Sequence, residues 1–275
     1  MLNSTVQRLT AFTMLLAASV LSLGPIYVMV VGSFKTQSEF LTSPIGLPGD
    51  VGLAAYEAAL RGGFWNAMIN SIVLTVGSVV VSTVVGAFAA WGLARARLRS
   101  KESLVTGIAS LMVVPPVVLV VPLFLLGVSL GAISSRWYVI FLYTGLVLPF
   151  SIYMLFSYFR SIPRELLEAA EVDGASGFST FTRIVVPLSA APIATLAALN
   201  AFWAWNELLI VLVLIQDNAL HTLMVSITQF QSRYSLDIPV VLAGLTIASA
   251  PVVLVYLFAQ RFLVFDVQAG GVKGE

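Results

Sequence analysis

The sequence has no cysteine and a single histidine, His221. Without cysteine there can be no disulfide framework, iron–sulfur cluster or thiol catalyst. One imidazole cannot build a histidine-rich metal site. Charge is scarce as well. Asp, Glu, Lys and Arg make up 10% of the chain, against about 25% in soluble domains. A net charge of +1, with only one short basic cluster, gives no reason to expect a nucleic-acid partner. The lysines are Lys35, Lys101 and Lys273, and none follows the glycine-rich spacing of a nucleotide-binding P-loop. The chain therefore carries no ATPase site of its own, and no cofactor is expected in it.

What is abundant is apolar sequence. Hydrophobic residues make up 59% of the chain, and the mean hydropathy is +0.99. Charged landmarks bracket six long stretches, at residues 9–33, 66–93, 104–130, 137–158, 189–215 and 238–260. Each is long enough to cross a hydrocarbon layer of about 30 Å. A span must satisfy its own backbone hydrogen bonds, which favours helices, and these runs lack the alternation of a membrane barrel. The expectation is an all-α polytopic membrane protein, one transmembrane domain over residues 1–275. The first run is too long for a signal-peptide core and reads as a retained span. Pro115, Pro116 and Pro122 fall in the third run, where they are expected to kink it.

Basic residues set the orientation. With the N-terminus in the cytoplasm, Arg8, Arg95, Arg97, Arg99, Lys101, Arg160, Arg164, Arg183, Arg261 and Lys273 lie inside. Lys35, Arg61, Arg136 and Arg233 lie outside, which accounts for all 14 basic residues. The inside excess is marked, and six spans place both termini in the cytoplasm. The run Arg95, Arg97, Arg99 and Lys101 reads as a topology anchor at the headgroups. Gly86 and Ala90 permit close helix packing in the second span. Residues 35–63 form a long outer loop, and residues 160–187 a long inner one.

The inner loop is patterned. Ser161 is suited to a helix cap, Pro163 to a first turn, and Glu165 to the positive end of a helix. Gly174 is placed to end the helix in a left-handed conformation. A short helix over residues 163–172 follows. Phe178, Phe181 and Val185 then recur at helical spacing, and Pro187 closes the segment. Within this loop run Glu168-Ala169-Ala170, three residues, Gly174, nine residues, Ile184, one residue, and Val186-Pro187. This spacing resembles the loop of binding-protein-dependent ATP-binding-cassette importer permeases, with Val186 where the family has leucine.

The resemblance extends along the chain. Asn70-Ser71 is similar to an Asn-Ser pair at the start of the second span of carbohydrate-uptake permeases. Trp205-Asn206-Glu207 is similar to a signature of the same maltose-type group, and Gly271, Val272, Lys273 and Gly274 to its C-terminal tail. What this implies is a subunit of the cytoplasmic membrane of a prokaryote. In that family the short inner helix is a coupling helix gripped by an ATPase. The residues carried over to it are Arg164, Glu168, Ala169, Ala170, Asp173, Gly174, Ile184 and Pro187. The tail reaches the ATPase dimer. ATP and Mg are bound by those partner subunits, a second permease completes the path, and an outer solute-binding protein delivers a sugar or related polyol.

Glu207 is the one acid well inside a span, where an ionised carboxylate costs roughly 2.5–3.5 kcal/mol. Asn200, Trp203 and Glu207, with Asn206 beside them, fall on one helical face. That face either lines a translocation path, with Trp203 stacking on a sugar ring, or joins helices. A second function class is a self-contained secondary transporter using Glu207 for ion coupling. Such a carrier calls for an inverted repeat and paired broken helices, which the sequence does not display. A membrane enzyme needs a cluster of reactive groups, and none is seen.

Overall fold

The computed structural model describes residues 4–61, 63–233 and 237–270. The tail residues Gly271, Val272, Lys273 and Gly274 lie outside them. The described residues form helices and connecting turns, with no strand among them. Four helices are long and apolar enough to cross a membrane, and up to six spans result if each of two bent helix pairs counts as one. The chain separates into two compact units, residues 1–65 with 226–250, and residues 66–225 with 251–275.

The first unit holds α1 (Ser4–Gly32), α2 (Gln37–Thr42) and α3 (Ala54–Leu60). The expected outer loop is therefore partly helical. Short side chains explain why: Ala55, Ala59 and Ala243 pack into a small core with Tyr56 and Val240. Lys35 is buried, its ammonium donating to the Ser43 carbonyl at 2.6 Å. The Gln37 amide oxygen accepts the Ile238 N–H at 2.9 Å.

The second unit takes most of α4 (Phe64–Arg95), then α5 (Lys101–Ser110), α6 (Pro116–Ser129), α7 (Arg136–Ser161), α8 (Arg164–Val172), α9 (Gly177–Thr180), α10 (Val186–Leu188), α11 (Ala190–Asn206) and α12 (Leu209–Leu214). The helices α13 (Leu223–Arg233) and α14 (Ile238–Gly270) contribute to both units. The last helix thus runs on well past residue 260, into what reads from sequence as tail. α7 is the central helix, and 13 of its residues are buried, which is why its neighbours build their cores on it. One core surrounds Tyr143 and draws on α6 and α12. The other gathers Trp91, Phe156, Phe159 and Phe181 near the ends of α4 and α7. Gly86 lets α4 approach α7, because a Cβ there would sit 2.8 Å from that of Ser151.

The third and fifth expected spans are both broken. α5 continues through a 3-10 turn, Leu111–Val113, and meets α6 at 89°. The bend comes at Pro115, whose backbone is extended, with Pro116 opening the next helix. A residue before proline avoids the helical region, and proline tolerates the first helical position. Pro122 lies inside α6 without ending it. The fifth span stops at Asn206 and restarts at Leu209. The break in the third span falls where its prolines lead one to expect a kink, whereas the break after Asn206 was not expected.

Candidate functional site

The inner loop folds close to its expected form, as α8 followed by a tight reversal. Ser161 is not its cap. That hydroxyl ends α7, donating to the Tyr158 carbonyl, and Pro163 precedes the first turn of α8. At the other end Asp173 is the cap residue and Gly174 has φ +77°. The Gly174 N–H donates to the Glu171 carbonyl at 3.1 Å, and the Ala175 N–H to the Ala170 carbonyl at 2.9 Å. This pair is a Schellman motif, which needs a left-handed residue at the glycine position.

The two sides of α8 differ. Leu167 packs inward on the Trp91 and Phe159 core, and Ala170 is buried. Ala170 therefore does not offer a small surface to a partner, because its own chain covers it. Arg164, Glu165, Glu168 and Ala169 are exposed, and Val172 is 88% exposed. Beyond Ser176, which caps α9, Phe178 is exposed while Phe181 and Val185 are buried in a turn of π-helix, Phe181–Val185. Phe181 lies 4.9 Å from Phe88, 6.0 Å from Trp91 and 6.3 Å from Phe159, ring centre to ring centre. Ile184 is half-buried and Pro187 exposed. Pro187 does not end the segment: α10 runs to Leu188, and the chain bends by 76° into α11. An exposed, mixed acidic and apolar surface is thus carried on a base anchored to the membrane helices.

A second feature is a cleft of about 600 Å³. The bend of the third span supplies Leu111, Met112, Val114 and Pro116, α7 supplies Leu146 and Phe150, and α11 supplies Leu199, Asn200 and Trp203. The Trp203 indole is braced edge-on by Tyr143, 5.3 Å away at 75°. Asn200 is buried, its amide nitrogen 3.0 Å from the Ser151 hydroxyl and 3.4 Å from that of Ser82. It ties α4, α7 and α11 together as well as touching the cleft. Asn206 is exposed and donates to the carbonyl of Phe202, one turn back.

Glu207 lies at the break and is not inside a helix. One carboxylate oxygen accepts the Ile210 N–H at 2.9 Å, and the other accepts the Tyr143 hydroxyl at 2.8 Å and the Val211 N–H at 3.4 Å. The free N–H groups of a helix start are natural partners for a carboxylate. The four residues from Asn200 to Glu207 therefore do not act as one face: Trp203 borders the cleft, while Glu207 holds the helix restart.

Several contributing residues give no sequence signal. Tyr143 looks like one more aromatic in an apolar run. Arg95 looks like one of four basic anchors, yet it pairs with Glu171 on α8. The role of Asn70-Ser71 emerges only in three dimensions. The buried Asn70 amide donates to the carbonyls of Ala219 and His221, both at 2.9 Å, and accepts from Arg136 at 2.7 Å. Ser71 accepts the Leu223 N–H at 2.8 Å. Asn70→Ala would remove three hydrogen bonds, the one to His221 buried and those to Ala219 and Arg136 partly so, and a stability loss of about 2 kcal/mol is expected, read as a lowered unfolding temperature in detergent.

Comparison with known proteins now decides the family. The sequence profile of the binding-protein-dependent transport system inner membrane component matches residues 82–268. The chain belongs to this family. The inner membrane component is 34% identical over 251 residues to the probable ABC transporter permease protein YurM of Bacillus subtilis, covering 91% of this chain and 83% of the relative. It is 30% identical to the arabinooligosaccharides transport system permease protein AraQ of the same organism, covering 97% and 95%. Its fold matches a subunit of a bacterial ABC transporter involved in the import of the acidic polysaccharide alginate, with a TM-score of 0.80 and 24% identity over 94% of this chain and 96% of that one. The inner membrane component is a multi-pass membrane protein, the permease part of such systems and not their ATPase.

Proposed function

We propose that this permease imports a sugar or short oligosaccharide handed over by an extracytoplasmic binding protein, by alternating access driven by partner ATPases. The observation that carries the reading is α8. It is a short exposed helix, turned at Gly174 and seated on the membrane core, in a chain whose family is binding-protein-dependent. An ATPase dimer gripping Glu168, Ala169 and Val172 would move the base beneath them, and ATP would shift a two-state equilibrium by its preference for one state. Both termini lie in the cytoplasm on the strength of the basic-residue distribution. ATP and Mg belong to the ATPases. A second, homologous permease completes the path, and the tail from Gly271 to Gly274 reaches toward the ATPases. The sugar assignment draws on relatives such as the arabinooligosaccharide permease and on the cleft, where Trp203 offers a braced aromatic face to a pyranose ring.

Reconstitution separates this reading from a self-contained carrier. The chain alone in liposomes is expected to move no labelled arabinooligosaccharide or raffinose down an ion gradient. The complex with its ATPases, second permease and binding protein is expected to move its sugar only with ATP. Uptake by the chain alone would overturn the proposal. Trp203→Ala is expected to raise the half-saturating sugar concentration roughly fivefold, the value of one lost stacking contact. An unchanged half-saturation would remove Trp203 from the path.

A further inference from the structure

Arg95 closes α4, and its guanidinium meets two partners at once. It pairs with the Glu171 carboxylate of α8, and it lies over the buried Trp91 indole, 5.3 Å from the ring centre. Trp91 stands one turn earlier on the same helix, so the cation is held by its own helix while it reaches the next element. Lys101 also holds that helix end, its ammonium donating to the Ala94 carbonyl at 3.1 Å. An isolated exposed ion pair contributes little. A planar guanidinium already stacked on an indole loses less freedom when it pairs, which is a use of arginine that lysine does not reproduce.

The placement matters for movement. α8 is joined through the backbone to α7 on one side and, through the turn at Gly174, to the segment leading into α11 on the other. Its link to α4 is made by side chains, and Arg95–Glu171 is the ionic part of it. α4 in turn touches α7 where Gly86 meets Ser151, and α11 where Ser82 meets Asn200. We infer that Arg95 is a positioning residue for energy coupling: paired with Glu171 and stacked on Trp91, it passes the displacement of α8 to α4. This inference rests on α8 being the coupling helix.

The test uses the assembled complex in membrane vesicles. The chain has no cysteine, so a cysteine replacing Leu146 in the cleft is the only thiol in this subunit. N-ethylmaleimide labelling of that cysteine is followed with and without ATP plus vanadate. In Arg95→Gln and Glu171→Gln the nucleotide-driven change in labelling rate is expected to shrink about fivefold, the lower end of coupling between linked sites. The rate without nucleotide is expected to stay as in the parent, which a general loss of packing would not allow. The exchange Arg95→Glu with Glu171→Arg restores the ion pair without the stack on Trp91, so it is expected to recover only part of the change. Full retention of the change in either glutamine variant would overturn the inference. A parallel crosslink from a cysteine at position 168 to the ATPase reports on α8 itself. Its presence alongside full retention defeats only the Arg95 link, while its absence in the parent defeats the coupling-helix reading and the link with it.

Discussion

Gly174→Leu is expected to reduce ATP-dependent sugar uptake by more than about tenfold while leaving the amount of inserted protein unchanged. Gly174 sits at φ +77°, and a Cβ added there meets no heavy atom within 4 Å. The cost is therefore one of backbone conformation and not of space. A non-glycine residue in the left-handed region costs roughly 1–2 kcal/mol, too little to unfold a bundle built on α7. It is enough to disfavour the two reversal bonds from Gly174 and Ala175 and to change where α8 ends. Asparagine visits that region readily, so Gly174→Asn is expected to keep most of the uptake. Uptake assays on the two variants, with membrane levels measured by immunoblot, separate backbone from side chain. Equal loss in both would mean that the position tolerates no side chain, and that a partner packs against the glycine itself.

Glu207→Ala is expected to destabilise the protein by about 3 kcal/mol, because it strips acceptors from the Ile210 and Val211 N–H groups and from the Tyr143 hydroxyl. Each buried donor left unpaired costs about 1–3 kcal/mol, and Tyr143 is fully buried. Glu207→Gln keeps an oxygen for the helix start and is expected to lose only about 1 kcal/mol. Thermal unfolding in detergent gives both values. The same pair of variants bears on the carrier alternative. An ion-coupling carboxylate has to change its charge during the cycle, so Gln would abolish uptake at near-normal stability. A carboxylate that fixes the restart of α12 predicts uptake following stability, with Gln near the parent and Ala well below it.

The sequence discloses the elements governed by local chemistry. Charge-free runs locate the spans, because a charge inside the bilayer is costly. Pro163, Glu165 and Gly174 frame α8 to within a residue of its observed limits, because capping and turn geometry act over three or four residues. The third span shows the limit of that reasoning. Three prolines announce a bend, but only the pair Pro115–Pro116 produces it, since Pro122 sits in α6 with its helix intact. The break at Glu207 lies further out of reach. No proline or glycine marks it, and the residue that stabilises it depends on Tyr143, 64 positions away.

The candidate site divides in the same way. The exposed side of α8 was legible because its spacing matches a patterned loop, whereas its anchoring was not. Ala170 serves the chain's own core, and Arg95, hidden among four basic residues, reaches α8 only through the folded arrangement. Periodicity put Asn200, Trp203 and Glu207 on one face, which presumes an unbroken helix. Once the helix stops at Asn206, the three separate into a junction between helices, a wall of the cleft and a helix cap.

A single cysteine placed at Glu168, in a chain that has no other, addresses the central point directly. With the ATPase present, a short bifunctional thiol reagent is expected to join the two subunits, and ATP plus vanadate is expected to change the yield severalfold. A chain that inserts normally, assembles with its ATPase and gives no crosslink from position 168 in either nucleotide condition would contradict α8 as the grip.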